Sequence, residues 1–311
     1  MPRRIATLGL QGPLLRYAEV DGDTSLRRLG TVEFDGDAER TLLGDGGPPL
    51  GPALERAVRE VFDVEASGSP DALVVAAHPS HTVSFSSPLP VSMTADQRHE
   101  HLRQEAALLA DVPAGRPVRI RAVPVRTQSL ARSAEASPEP HRWHHVLYLS
   151  EAVHARLSLL ARALGVGSYD LIDTTRAVAT IAARLDPVGS PTGDLDRVAM
   201  AVGVYGGHTE YALLKGGEWA YGHHGLGGTP EDTAYYALAL LERLGLDADA
   251  PRRLFVYGDD VRPERLELLS QMLTLETSPL DPLVLFSRRP AHADPAQLAA
   301  FAPLLGVALG A

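Results

Sequence analysis

One pattern occurs twice in this chain, and that repetition limits the fold more than any other feature. Leu8-Gly9-Leu10-Gln11-Gly12 enters a hairpin near the start, and Val202-Gly203-Val204-Tyr205-Gly206-Gly207 enters another in the second half. Each is an apolar strand, a glycine-rich turn and a second strand. Either turn alone says little, because glycine serves any tight turn by reaching positive φ without steric cost. The return of the pattern after the linker Asp186-Pro187-Val188-Gly189-Ser190-Pro191-Thr192-Gly193 points to two related halves. A length of 311 residues fits about two domains.

Composition removes several classes of function. Hydrophobic residues make up 45% of the chain and charged residues 22%, enough apolar material for a full core. Cysteine is absent, so no disulfide framework, thiolate metal site or cysteine nucleophile is available, and a reducing compartment is expected. The net charge of −10 and an aromatic content of 5% argue against nucleic-acid partners, which need a basic surface or stacking platforms. No apolar run approaches the ~18 residues of a membrane-spanning helix. Ile5–Leu10 reads as a first strand rather than a signal peptide.

Periodicity supplies the elements. Ile5–Leu10, Leu14–Val20 and Leu29–Phe34 read as strands, and Leu73–Ala77 reads as a strand buried on both faces. Leu54, Val58, Val61 and Phe62 line one side of a helix. Thr94 and Gln97 form a capping box, and Val118–Ala122 alternates as a half-exposed strand. Residues 128–145 carry no periodicity and read as a loop. Val146–Leu149 is a strand, Ser150 caps the helix carrying Val153, Leu157, Leu160 and Leu164, and Asp173 caps another. The second half holds strands at Arg197–Val204, Thr209–Leu214 and Arg253–Tyr257, with a helix opened by Thr229-Pro230-Glu231-Asp232.

The order of these pieces resembles the PilM family, the cytoplasmic actin-like proteins of type IV pilus assembly, and more distantly the FtsA division proteins. The resemblance is carried by Arg16-Tyr17-Ala18-Glu19-Val20, by Val83–Pro90 with Met93 and Glu105-Ala106-Ala107, and by Leu164-Gly165-Val166 followed by Asp173. Gly227-Gly228 before a helix and Phe301-Ala302-Pro303-Leu304-Leu305-Gly306-Val307-Ala308-Leu309 complete it. It implies an α/β, actin-like fold of duplicated, ribonuclease H-like domains with a small α/β insert in the first. The expected division is 1–84 plus 172–194 for the first domain, 85–171 for the insert and 195–311 for the second domain.

The resemblance also implies a nucleotide cleft, made here of Gly9, Gln11, Gly12, Gly203, Tyr205, Gly206, Gly207, Thr209, Gly227, Gly228 and Gly258. ATP-binding members carry Asp-x-Gly in both phosphate turns, whose carboxylates hold hydrated magnesium. An ungapped reading sets Gly9-Leu10-Gln11 and Gly203-Val204-Tyr205 there, so both aspartates are glycine. A gap can set Gln11 on the first aspartate, which still brings no charge. Gly258-Asp259 stands where Gly-Gly is usual. The expectation is a retained fold with Mg-ATP hydrolysis lost and no cofactor, although ATP and Mg stay open through the resemblance, and Gly206, Gly207 and Thr209 stay open as an anion cradle.

As partner, the resemblance implies the cytoplasmic tail of a PilN-like inner-membrane protein, with other pilus or secretion proteins and self-association left open. The chain would then sit in the cytoplasm, peripheral to the inner membrane and not inserted in it. His78, Pro79, Phe85, Leu102 and Leu171 are the expected lining of a peptide groove between the first domain and its insert. The rivals are a kinase of the same fold, with Asp173 as its carboxylate, and an FtsA-like filament protein. Among the twelve histidines, His78 with His81 and His141 with His144 and His145 have suggestive spacings. They read as structural or solvated residues, and no metal site is assigned. Arg116, Arg119, Arg121 and Arg126 form a solvated face or, in a sharper reading, a dock for an acidic partner.

Overall fold

The computed structural model describes residues 3–22, 24–44, 50–78, 82–113, 116–126, 141–186, 197–287 and 294–310. The first half opens with β1 (Arg4–Gln11), β2 (Leu14–Asp21) and β3 (Ser25–Glu33), then α1 (Ala38–Leu43), α2 (Pro52–Val61), α3 (Val64–Ser67) and β4 (Ala72–Ala77). β5 (Ser84–Pro90), α4 (Ala95–Leu109), β6 (Arg119–Arg126) and β7 (His141–Leu149) follow, then α5 (Glu151–Ala163), β8 (Tyr169–Asp173) and α6 (Thr174–Leu185). The second half runs β9 (Val198–Val204), β10 (His208–Lys215), β11 (Glu218–Leu226), α7 (Pro230–Arg243), β12 (Pro251–Gly258), α8 (Pro263–Leu273), β13 (Glu276–Pro279), α9 (Pro295–Leu298) and α10 (Ala302–Gly310).

The repeat in the sequence becomes one topology used twice. The first sheet has the order β3-β2-β1-β4-β8 and the second β11-β10-β9-β12-β13. In each, two antiparallel hairpin links are followed by parallel strands on the other side of the first strand. β4 and β9 are buried along their whole length, as strands covered on both faces must be.

Two helices join the halves. α6 follows the first sheet but packs against β9, β10 and β11, whereas α10 closes the chain and packs against β1, β4 and α6. Every residue of α10 from Ala302 to Leu309 is buried, which explains why it is apolar all round rather than on one stripe. At their crossing the backbones nearly touch: a Cβ built on Gly306 would lie 2.1 Å from the carbonyl oxygen of Ala177. Backbone cannot swing aside as a side-chain tip can, so only glycine fits.

The insert is smaller than expected. Its sheet has the order β5-β7-β6, and Leu89, Leu102 and Val146 form its core under α4. α5 and β8, placed in the insert by the 85–171 division, belong to the first domain instead. Val153, Leu157, Leu160 and Leu164 of α5 join Leu73, Val75 and Leu171 in the core under the first sheet, and β8 pairs in parallel with β4. β8 is missed as a strand because it has only five residues, two of them aspartate. β7 begins at His141, inside the stretch read as loop, because its histidine-rich half pairs with β5. The rest of that stretch, like the linker 187–193, lies outside the described residues.

The helix crossing sets a stability expectation. Gly306→Ala should cost about 1–3 kcal/mol by overpacking, read as a lower midpoint in urea unfolding. Gly310→Ala, whose Cβ would meet only Thr180 Oγ1 at 3.8 Å, should be near neutral.

Candidate functional site

The two glycine turns face each other across the interdomain cleft, and a buried carboxylate lies at its floor. Glu210 is the third residue of β10 and is fully buried. A burial of that kind is tolerable only when the charge is paired and hydrogen-bonded. His78 Nδ1 and His208 Nε2 donate to Glu210 Oε1 at 2.7 and 3.2 Å. The hydroxyls of Thr174 and Tyr257 donate to Oε2, each at 2.8 Å. His78 follows β4, Thr174 opens α6, and Tyr257 ends β12, so four elements from both halves converge on one side chain.

Electrostatics follow from this packing. Burial works against protonation of His78, but the adjacent Glu210 carboxylate overcomes it and raises the imidazole pKa. Burial also works against the charge of Glu210, yet His78 and His208 hold its pKa far below the usual carboxylate value. Burial, then the Glu210 charge, pushes the phenols of Tyr205 and Tyr257 well up. Tyr205 stacks on His208 with ring centres 4.7 Å apart and meets His78 edge-on at 4.8 Å.

Side chains fill the space that the turns enclose. One cavity among the described residues, lined by Gly9, Gln11, Arg16, His78, Tyr205 and Leu304 on the first-domain side of the cleft, measures about 10 Å³. Small-molecule sites span about 300–1,000 Å³. A Cβ on Gly203 would lie 2.6 Å from the Tyr257 ring, so an aspartate there would collide with it. Across the mouth, Arg16 pairs with Asp259 and also donates to Gln11 Oε1 at 2.8 Å. The aspartate that departs from Gly-Gly therefore has a cation to meet.

The other expected cleft residues shape the turns. Gly12 sits at φ +54° between β1 and β2, and its N–H donates to Glu39. Gly206 and Gly207 are exposed in the β9–β10 turn, and the Gly227 N–H donates to the Gly207 carbonyl at 3.1 Å. Gly228 lies beside Asp232 in the cap of α7, and Gly258, at φ +101°, lies against the Val204 backbone. Thr209 is buried, with its hydroxyl 3.2 Å from that of Tyr211.

The expected peptide groove is not assembled. Leu171 is 4% exposed in the core of the first domain, and Leu102 is buried in the core of the insert with Phe85 against it. His78 lies in the cleft with Glu210, and Pro79, like His81, is outside the described residues. Arg119 and Arg121 pair with Glu151 and Asp170 at 2.8 Å each, so they fasten the insert to the first domain instead of offering free charge. Asp173 is occupied too. Its Oδ1 caps α6 through the Thr175 N–H at 2.7 Å, and its Oδ2 meets His145 Nε2 at 3.0 Å.

Sequence reasoning passed over Glu210, His208, Tyr257, Thr174 and Arg16. Glu210 carried a legible signal: it is an acid in Thr209–Leu214, a strand otherwise suited to burial. Its partners carried none, since they come from four separate elements.

Removing the central charge should matter far more than removing the one at the mouth. Glu210→Gln should lose about 3 kcal/mol, because it leaves buried donors unpaired. Arg16→Ala should lose only about 1 kcal/mol, because its partner Asp259 is partly solvated. Urea denaturation of the two variants compares them directly.

No family model matches the sequence, and no curated protein does. Solved structures do. The chain is similar to the PilM-PilN type IV pilus biogenesis complex at 17% identity, covering 98% of both chains, with a TM-score of 0.67. It is similar to a Bacteroides thetaiotaomicron protein with an actin-like ATPase fold at 10% identity, covering 91% of this chain and 92% of that one, with a TM-score of 0.54. It is also similar to the ethanolamine utilization protein EutJ from Carboxydothermus hydrogenoformans at 11% identity, covering 99% and 90%, with a TM-score of 0.50. With the doubled sheet order and the crossed helices, these likenesses show that the chain has the actin-like fold.

Proposed function

We propose that this chain is a scaffold of a type IV pilus or related secretion assembly, binding the cytoplasmic tail of a PilN-like inner-membrane partner without hydrolysing ATP. The observation that carries the reading is the filled cleft. Tyr205, Tyr257 and the Glu210 cluster pack into the floor of the cleft, and the described cavity between Gly9 and Tyr205 holds about 10 Å³. No carboxylate at Gly9 or Gly203 is present to hold magnesium. What is left is a two-domain frame with an insert, which suits binding rather than turnover.

The partner class draws on the likeness to the PilM-PilN complex and on the junction of insert and first domain. β6 and β8 are each an edge of their sheet, and Arg121–Asp170 bridges them. A depression of about 270 Å³ beside this junction is lined by Val112, Pro113, Tyr148 and Glu151, among others. Sheet edges with apolar anchors nearby suit a short extended peptide. Among the described residues no helix is long and apolar enough to cross a membrane.

Calorimetry with Mg-ATP should give no binding at micromolar concentrations. A micromolar dissociation constant that needs magnesium would overturn the loss of nucleotide chemistry. A synthetic peptide of the cytoplasmic tail of a PilN-like protein from the same organism should bind, and Tyr148→Asp should weaken it at least tenfold. Unchanged affinity in the folded variant would move the peptide away from this junction.

A further inference from the structure

The floor of the cleft gathers a donor set that can do more than pair a buried charge. His78, His208 and Glu210 each present one ligand atom, and the three atoms lie within 4.8 Å of one another. We propose that these residues form a binding site for a divalent transition-metal ion of the zinc class, which clasps the first domain to the second where related folds close on a nucleotide.

Several independent observations carry it. Two imidazole nitrogens and one carboxylate oxygen are a donor set that zinc accepts, with a water as fourth ligand. Magnesium and calcium want oxygen ligands throughout and are disfavoured here. Ligand atoms around tetrahedral zinc stand about 3.3 Å apart, given bonds of about 2.0–2.1 Å. Glu210 Oε1 stands 2.7 Å from His78 Nδ1 and 3.2 Å from His208 Nε2, so small shifts admit an ion. His208 and Glu210 alternate on β10 and thus share one face.

The surroundings are built for it. Thr174 and Tyr257 hold Oε2 of Glu210, which orients the carboxylate and leaves Oε1 for the metal, as outer hydrogen bonds do in metal sites. The rings of His78 and His208 are held in place by Tyr205, which meets His78 edge-on and stacks on His208. The Tyr205 hydroxyl is buried and without a hydrogen-bond partner among the described residues, so the cluster holds a polar group that its own packing leaves unsatisfied. The nearby cation Arg16 is neutralised by Asp259, and Glu39 is buried close by on the other side of His78. The histidines otherwise read as structural residues are thus a clasp, with metal replacing the direct histidine–carboxylate hydrogen bonds.

The test uses the full chain, stripped with chelator, desalted and titrated with zinc chloride alone. The expected result is one zinc ion bound per chain with an upward shift of Tm, and no shift with magnesium chloride. X-ray absorption of the zinc-loaded protein should show two imidazoles and oxygen. His208→Asn, checked for folding by circular dichroism, should lose the bound zinc and the Tm shift, while His99→Asn with His101→Asn, both exposed on α4 of the insert, should keep both. Absence of zinc binding, a signal with fewer or more than two imidazoles, or zinc retained in folded His208→Asn would each overturn the proposal. If His208→Asn does not fold, the absorption spectrum of the unaltered chain and the variant with both His99→Asn and His101→Asn decide it. None of these outcomes bears on the tail peptide, whose binding is measured separately.

Discussion

The close approach of α6 and α10 is the constraint on which the rest of the structure depends. Each helix leaves its own half and packs between the two sheets, and the backbones meet at Gly306 and Ala177. The crossing draws both sheets onto one continuous core, from Ile5 and Val74 on one side to Val202 and Val256 on the other. It also fixes the cleft. α6 begins at Thr174, beside Glu210, and Leu304 of α10 lies under Gly9. The turns therefore meet at a set distance, and whatever fills the space between them is held by the core.

What fills it here is protein. In an actin-like fold, glycine in both phosphate turns normally accompanies room for phosphate oxygens. Here Gly203 makes room for the Tyr257 ring, and Gly9 for Leu304. The same small residues that let a ligand approach elsewhere let side chains approach in this chain. Burying Glu210 then requires its four hydrogen bonds, because an ionised carboxylate without partners is among the most costly groups to remove from water. The polar cluster and the close packing of the second turn belong to one arrangement, because Tyr257 both lies against Gly203 and donates to Glu210.

The insert is tied to this frame by a small number of specific contacts. Arg119–Glu151 and Arg121–Asp170 join β6 to α5 and β8, and His145–Asp173 joins β7 to the start of α6. The two arginine pairs are well exposed and contribute little stability. They fix orientation instead, which is what a docking junction between insert and first domain requires.

By itself the sequence determined the doubled architecture, most strand and helix positions, the capping box at Thr94 and the helix start at Thr229. These are local properties: periodicity, turn chemistry and caps act within a few residues. Leu171 and Leu102 were legible as apolar but not as members of two different cores, because a period of two or 3.6 marks a buried face without saying what covers it. The insert's limit was illegible for the same reason, since α5 has an apolar face that either neighbour could have covered. Only the tertiary structure brought His78, Thr174 and Tyr257 to the His208–Glu210 pair of β10, from segments that share no spacing in the chain. The physical reason is that a buried charge recruits its partners through space, and pairing between distant elements leaves no periodic trace in the sequence.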